Sequence, residues 1–249
     1  MKKKTILITG SSRGLGAHAA YRFAEKGHAV VVNYSKSTAE AESLLHKITD
    51  ETANPNVAAI RADVSSRSEV RMLFDSIGSR FGSCDVLVNM AGINKDGPFL
   101  DMDDGQWESV IRTILSGTFI CCQEFARHHQ DDGGHIVNIG AVTGIRGRKN
   151  GVNYCSARAG VINLTRCLAL ELAPRISVNT VTPGYIETEE VVVRYALDIK
   201  ENRDRAVGLV PAGRLGTPED VFRMLDFIVN DSSYITGQNF MVDGGYFMR

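Results

Sequence analysis

Tyr154 and Arg158 stand four residues apart in the run Asn153-Tyr154-Cys155-Ser156-Ala157-Arg158, so a helix there places a phenol and a guanidinium on one face. A permanent cation beside a phenol favours the phenolate, which makes the pair a candidate acid or base. A second cluster is Thr9-Gly10-Ser11-Ser12-Arg13-Gly14-Leu15-Gly16. Gly10, Gly14 and Gly16 allow a tight backbone turn and close approach to a pyrophosphate, whose charge the N-terminus of a following helix stabilises. The spacing is GxxxGxG, not the GxGxxG of the commonest dinucleotide fingerprint.

Both clusters need elements to hold them. Short β-branched or aliphatic runs alternate with longer segments of helical period along the whole chain, the pattern of a parallel sheet covered on both faces. Strands are expected at residues 5–9, 29–33, 57–61, 86–89, 135–139, 177–182 and 239–242. Helices are expected at 14–26, 38–51, 68–81, 106–128, 152–173, 187–207 and 218–229. No linker or low-complexity tract interrupts the alternation, so residues 1–249 form one doubly wound α/β domain of about seven parallel strands. The glycine cluster then follows the first strand and opens the first helix.

Composition narrows the partners. At net charge −1 the chain has no general attraction for nucleic acid, and no apolar run reaches the length of about twenty residues that spans a membrane. The basic start Met1-Lys2-Lys3-Lys4 is followed by an apolar run that ends at Gly10, too short for a signal peptide. Five cysteines, Cys84, Cys121, Cys122, Cys155 and Cys167, form neither CxxC nor Cys/His ligand spacing. They suit a reducing compartment, and a cytoplasmic location is expected. His128 and His129 read as a helix-end pair, so no metal site is expected.

The second strand ends Val32-Asn33-Tyr34-Ser35-Lys36, where an NAD site usually carries a carboxylate for the ribose hydroxyls. None is present. Arg13 and Lys36 can instead give charge-assisted hydrogen bonds to a 2′-phosphate, which favours NADP(H).

Further segments fall at strand ends that line the same crevice: Ala62-Asp63-Val64, Asn89-Met90-Ala91-Gly92 and Pro183-Gly184. With TGSSRGLG and Tyr154-x3-Arg158 in the same order, the whole chain resembles the short-chain dehydrogenase/reductase family, whose fold is Rossmann-like. Within it the likeness is to β-ketoacyl-acyl-carrier-protein reductases, through residues 182–188 and 210–216 and through 234–238 with Val242-Asp243-Gly244-Gly245. The resemblance implies cofactor contacts from Gly10, Ser12, Arg13, Gly14, Leu15 and Gly16 in the loop, and from Asn33 and Lys36 beyond the second strand. Asp63 and Val64 would meet the adenine; Asn89, Ala91 and Gly92 the ribose side; Tyr154 and Arg158 the nicotinamide ribose. Pro183 and Gly184 would also border the cofactor, Ile186 and Thr188 would meet the nicotinamide carboxamide, and the segment Glu187 to Val207 resembles the family's mobile substrate lid. The substrate implied is an acyl thioester or other carbonyl, carried where relevant by an acidic acyl-carrier protein that Arg175 would attract and Asp131 and Asp132 would oppose.

The sequence departs from this pattern at three of four catalytic positions. The family's Ser falls on Ala141, its Asn on Ile114 and its Lys on Arg158; only Tyr154 remains. Alanine donates no hydrogen bond, isoleucine organises no relay water, and arginine keeps its charge but passes on no proton. Thr143 substitutes for the serine if the backbone there stays extended. Three readings follow: a ketoreductase acting through Tyr154 and Arg158, an inactive subunit completing a heteromer with an active homologue, and a cofactor-binding sensor or scaffold. The family assembles as dimers or tetramers through its two long helices. The apolar Phe119, Ile120, Phe125, Leu164, Leu168 and Leu172 here fit such a face or the domain's own core.

Overall fold

The computed structural model describes residues 3–129 and 133–248; Asp131 and Asp132 lie outside the described residues. In chain order the elements are β1 (Thr5–Ile8), α1 (Gly14–Glu25), β2 (Ala29–Tyr34), α2 (Thr38–Thr52), β3 (Val57–Arg61), α3 (Arg67–Phe81) and β4 (Val86–Asn89). There follow α4 (Asp104–Ile111), α5 (Gly117–His128), β5 (Gly134–Ile139), α6 (Val142–Arg146), α7 (Val152–Leu172) and β6 (Ile176–Pro183). The lid helices α8 (Glu189–Tyr195) and α9 (Lys200–Gly208), then α10 (Pro218–Asn230) and β7 (Asn239–Val242), complete the chain.

All seven strands run parallel in the order β3-β2-β1-β4-β5-β6-β7. The order reverses between β1 and β4, the point where an open α/β sheet leaves a crevice beyond its strand ends. Alternate residues feed two cores. Ile6, Ile8, Val30, Val32, Val86 and Val88 pack under α1, α2 and α10, while Leu7, Val31 and Leu87 pack under α3, α5 and α7. A strand buried on both faces cannot alternate polar with apolar, which is why these runs are continuously hydrophobic.

Three elements differ from the sequence expectation. The long helix begins at Asp104, because Asp103 and Gln106 form a reciprocal cap, and it passes through a π turn at Arg112–Ser116 before α5. The lid is two helices, since Ala196 adopts a left-handed conformation at φ 46° and lets Leu197 turn into the local core. Residues 142–146 are helical where no helix was expected. Of the candidate interface residues, Ile120 and Phe125 are core and Leu168 and Leu172 pack against it, whereas Phe119 is exposed. Cys84, Cys121, Cys122 and Cys155 are buried free thiols and Cys167 is exposed. Burial pushes Cys84 and Cys122 up to about 12, so these thiols stay protonated and unreactive. No helix among the described residues is long and apolar enough to cross a membrane.

At the N-terminal edge of the sheet, His135 Nε2 accepts from Lys4 Nζ at 3.3 Å, and Nδ1 shares a hydrogen bond with Ser177 Oγ at 2.9 Å. Burial, reinforced by the Lys4 ammonium, pulls the imidazole down to about 4, and His28 is lowered by the same two causes. Below about pH 6.5 the unfolded chain takes up protons that the native state refuses, so acidification towards pH 4 removes stability, by up to about 3 kcal/mol for His135. Urea unfolding at pH 7.5 and pH 5 will show this loss, and His135→Gln will flatten it.

Candidate active site

The glycine cluster turns where sequence spacing places it. Gly10 and Gly14 have φ of 62° and 58°, values that favour a residue without Cβ. A Cβ on Gly10 would lie 2.7 Å from Ala91 Cα, and one on Gly16 would lie 2.7 Å from Ser11 Cα. Around Gly14, by contrast, a Cβ would meet nothing within 4 Å. The first turn of α1 has no side-chain cap and no acidic residue, so its N–H groups face open space with a favourable dipole for an anion.

Side chains lock this loop to the neighbouring strand ends. Thr9 Oγ1 accepts from the N–H groups of Met90 and Ala91 at 3.0 and 3.1 Å; the residue pattern alone gives Thr9 no such role. Asn33, expected to touch cofactor, is instead buried, with Oδ1 accepting from Gly10 N at 3.2 Å and Nδ2 donating to Ala62 O at 3.1 Å. Asn89 is buried as well: Nδ2 donates to Asn138 Oδ1 at 2.8 Å, and its own Oδ1 has no partner among the described residues. Both amides shape the crevice from beneath, Asn33 through backbone groups of the glycine turn and β3 end and Asn89 through Asn138 and the Cys122 thiol on α5. Asp63 Oδ1 is held by Ser65 through N at 2.9 Å and Oγ at 2.8 Å, and Val64 packs into the space left by Gly117. Arg13 and Lys36 are exposed, and Ser12 and Leu15 are half-buried.

On the opposite side of the crevice, Gly184 follows Pro183 and packs so closely on Asp243 that a Cβ would lie 2.6 Å from its Cβ. Ile186 is buried, and the Thr188 hydroxyl caps α8 by accepting from Val191 N at 3.4 Å. Tyr185 forms an aromatic cluster with Tyr195 and Tyr246. Burial, aided by Tyr246, raises the Tyr185 phenol well above its ordinary value, which keeps it neutral.

Tyr154 lies on α7 with Arg158 as expected, the guanidinium carbon 5.2 Å from the ring centroid. Arg158 is only 6% exposed; Nη1 donates to Ile139 O at 2.6 Å, and Nε is buried without a partner among the described residues. Its Nη2 occupies the space where a Cβ on Gly92 would stand, at 2.6 Å. Ala141 is extended at φ −157°, but α6 begins at the next residue, so Thr143 belongs to a helix. The extended-backbone substitution of Thr143 for the missing serine therefore does not occur. Ile114 is fully buried in the π turn among Val110, Ala157 and Val161, and the Thr118 hydroxyl donates to its carbonyl at 2.6 Å. A dry apolar cluster stands at this position.

A second arginine belongs to no motif. Arg148 places its guanidinium carbon 5.5 Å from the Tyr154 centroid, so two cations flank the phenol ring. Arg148 pairs with Asp96 at 2.7 Å and donates to Tyr195 Oη at 3.2 Å; Asp96 also pairs with Arg194 at 3.2 Å, and Arg194 with Glu190 at 2.7 Å. The network ties the lid to the loop after β4 and to the start of α7. Glu190 and Arg194 are an i,i+4 pair on α8, but only tertiary contact joins them to Asp96 and Arg148. A separate concavity of about 600 Å³ lies at the opposite sheet edge, lined by Lys3, Lys26 and Asn54 among others, and shares no residue with this site.

With this geometry in place, comparison with known proteins is informative. The family model described as enoyl-(acyl carrier protein) reductase matches residues 10–247. The chain belongs to the short-chain dehydrogenase/reductase family. This reductase-family chain is 38% identical over 248 residues to a Staphylococcus epidermidis protein named 3-oxoacyl-(acyl-carrier-protein) reductase FabG, covering 98% of the chain and 99% of the relative. A Synechocystis protein named 3-oxoacyl-(acyl-carrier-protein) reductase is 38% identical over 250 residues, with 98% and 97% covered. The crystal structure of a gluconate 5-dehydrogenase from Burkholderia cenocepacia J2315, in complex with NADP and tartrate, matches at TM-score 0.91 and 30% identity, covering 100% of this chain and 97% of that one.

Ile114→Asn alone buries an amide in the dry cluster and will lower stability by about 2 kcal/mol or more, as measured by urea unfolding.

Proposed function

We propose that the chain binds NADP(H) and belongs functionally with the 3-oxoacyl-thioester reductases, with Tyr154 as proton donor and with slow turnover when the chain acts alone. The observation that carries the reading is the uncapped N-terminus of α1 with open space at Gly14, set on the same crevice as a half-buried tyrosine flanked by arginines. Support comes from the names of the relatives and from the NADP named with the gluconate 5-dehydrogenase structure. The donor set fits the dinucleotide: helix N–H groups for the pyrophosphate, Arg13 and Lys36 for a 2′-phosphate, and no carboxylate at the end of β2. When bound, the cofactor supplies the hydride.

The chain's own residues handle the proton and the carbonyl oxygen. Tyr154 donates to the developing alkoxide, with the Arg148 and Arg158 guanidiniums beside its ring. Ala141 offers no second donor to that oxygen, a loss on the order of 3 kcal/mol or a hundredfold in rate. Reprotonation is slow, since Arg158 does not release a proton and Ile114 holds no water.

A second reading, a cofactor-binding subunit completed by an active homologue, is favoured by the commitment of Arg158 to the Ile139 carbonyl and by the exposure of Phe119 and Leu170 on α5 and α7. NADPH oxidation with a short 3-oxoacyl thioester separates the two. The first reading expects measurable turnover well below about 10 per second, raised at least tenfold by combining Ile114→Asn, Ala141→Ser and Arg158→Lys. NADPH binding without any turnover, with activity appearing only beside a homologous chain, establishes the second.

A further inference from the structure

We propose that Arg61, the last residue of β3, is a third cation for the cofactor's 2′-phosphate and sets the preference for NADP(H) over NAD(H); this rests on the NADP(H) reading above. The register of the sheet brings it there. Arg61 is the partner of Tyr34 across the β2–β3 ladder, two residues before Lys36. Alternation decides its face: Ala59 packs into the core under α1 and α2, Ile60 into the opposite core, and Arg61 therefore emerges on the α1/α2 side. Tyr34 packs on that side too, and α1 starts there with Arg13 at its N-cap.

One hydrogen bond anchors the side chain. Arg61 Nε donates to the Ser35 carbonyl at 3.1 Å, which holds the guanidinium beside the loop that carries Lys36. Among the described residues no acceptor is recorded for its terminal amino groups, and the residue is exposed. The nearby carboxylates do not claim it. Asp63 is turned back onto Ser65, Glu69 accepts from Asp63 N at 3.0 Å, and Glu40, exposed in the first turn of α2, has no recorded pair with Arg61. A fixed stem with a free, planar, two-pronged end is the arrangement that suits a phosphate dianion. Tyr34 and Ser35 separate Asn33 from Lys36 without a carboxylate, so nothing at the end of β2 repels that charge.

The test is titration followed by NADPH and NADH fluorescence on the full chain, with 2′,5′-ADP and 5′-AMP read as competitors and no turnover required. Arg61→Gln is expected to weaken NADPH about tenfold and NADH less than twofold, to weaken 2′,5′-ADP by the same factor as NADPH, and to leave 5′-AMP unchanged. Arg61→Lys should recover part of the loss. An unchanged NADPH/NADH ratio in Arg61→Gln, with wild type still preferring NADPH, overturns the role of Arg61 and leaves the NADP(H) reading standing. Wild type without a preference for NADPH overturns that reading itself. Circular dichroism and melting temperature of Arg61→Gln should match wild type; equal weakening of all four nucleotides would mark a structural role and would also overturn the proposal.

Discussion

Everything in the crevice depends on how the polar ends of the central strands are tied together. β1, β2 and β4 are buried on both faces, so polar groups at their ends must find partners within the protein. Asn33 closes one such end. Its amide links the glycine turn, the end of β2 and the end of β3 through Gly10 N and Ala62 O. Thr9 closes another by holding the N–H groups of Met90 and Ala91. With these ties the glycine loop stands at one height relative to α1, and the anion-facing turn is preorganised before any nucleotide arrives.

The catalytic half is built differently. Here the long helices α5 and α7 and the π turn between α4 and α5 set the distances, and apolar packing does the holding. Ile114 shows the consequence. Its carbonyl accepts from Gly117 N and from the Thr118 hydroxyl, while its side chain packs in the apolar cluster that Tyr154 borders. The phenol therefore has two guanidiniums near its ring and an apolar wall beside it. Arg158 is drawn down towards the sheet by the Ile139 carbonyl, and Gly92 leaves it room.

The lid couples to this setting through charge. Asp96 is shared by Arg148 and Arg194, so one carboxylate joins the phenol's second cation to α8. Partly exposed ion pairs of this kind contribute little each, but a shared carboxylate makes their geometries interdependent. The position of α8 and the position of the Arg148 guanidinium are therefore set together.

Much of this protein was legible in order and period alone. Seven apolar runs alternating with helical segments determined the doubly wound sheet, because a parallel sheet needs a covered crossover between each pair of strands. GxxxGxG after the first strand placed the glycine turn, and through the family resemblance the interval back from Tyr154 put Ala141 at the family's serine position. Tertiary structure alone decided the rest. It turned Asn33 and Asn89 inward, since their fate depends on which carbonyl and amide groups the neighbouring strands present. It wound residues 142–146 into a helix, so Thr143 does not continue the extended backbone of Ala141, broke the lid at Ala196, and brought Arg148 to Tyr154 and Asp96 to Arg148 from separate loops. Local pattern specifies what each element is; contacts between residues distant in the chain specify which side chains meet, and a sequence read in one dimension carries no measure of that proximity.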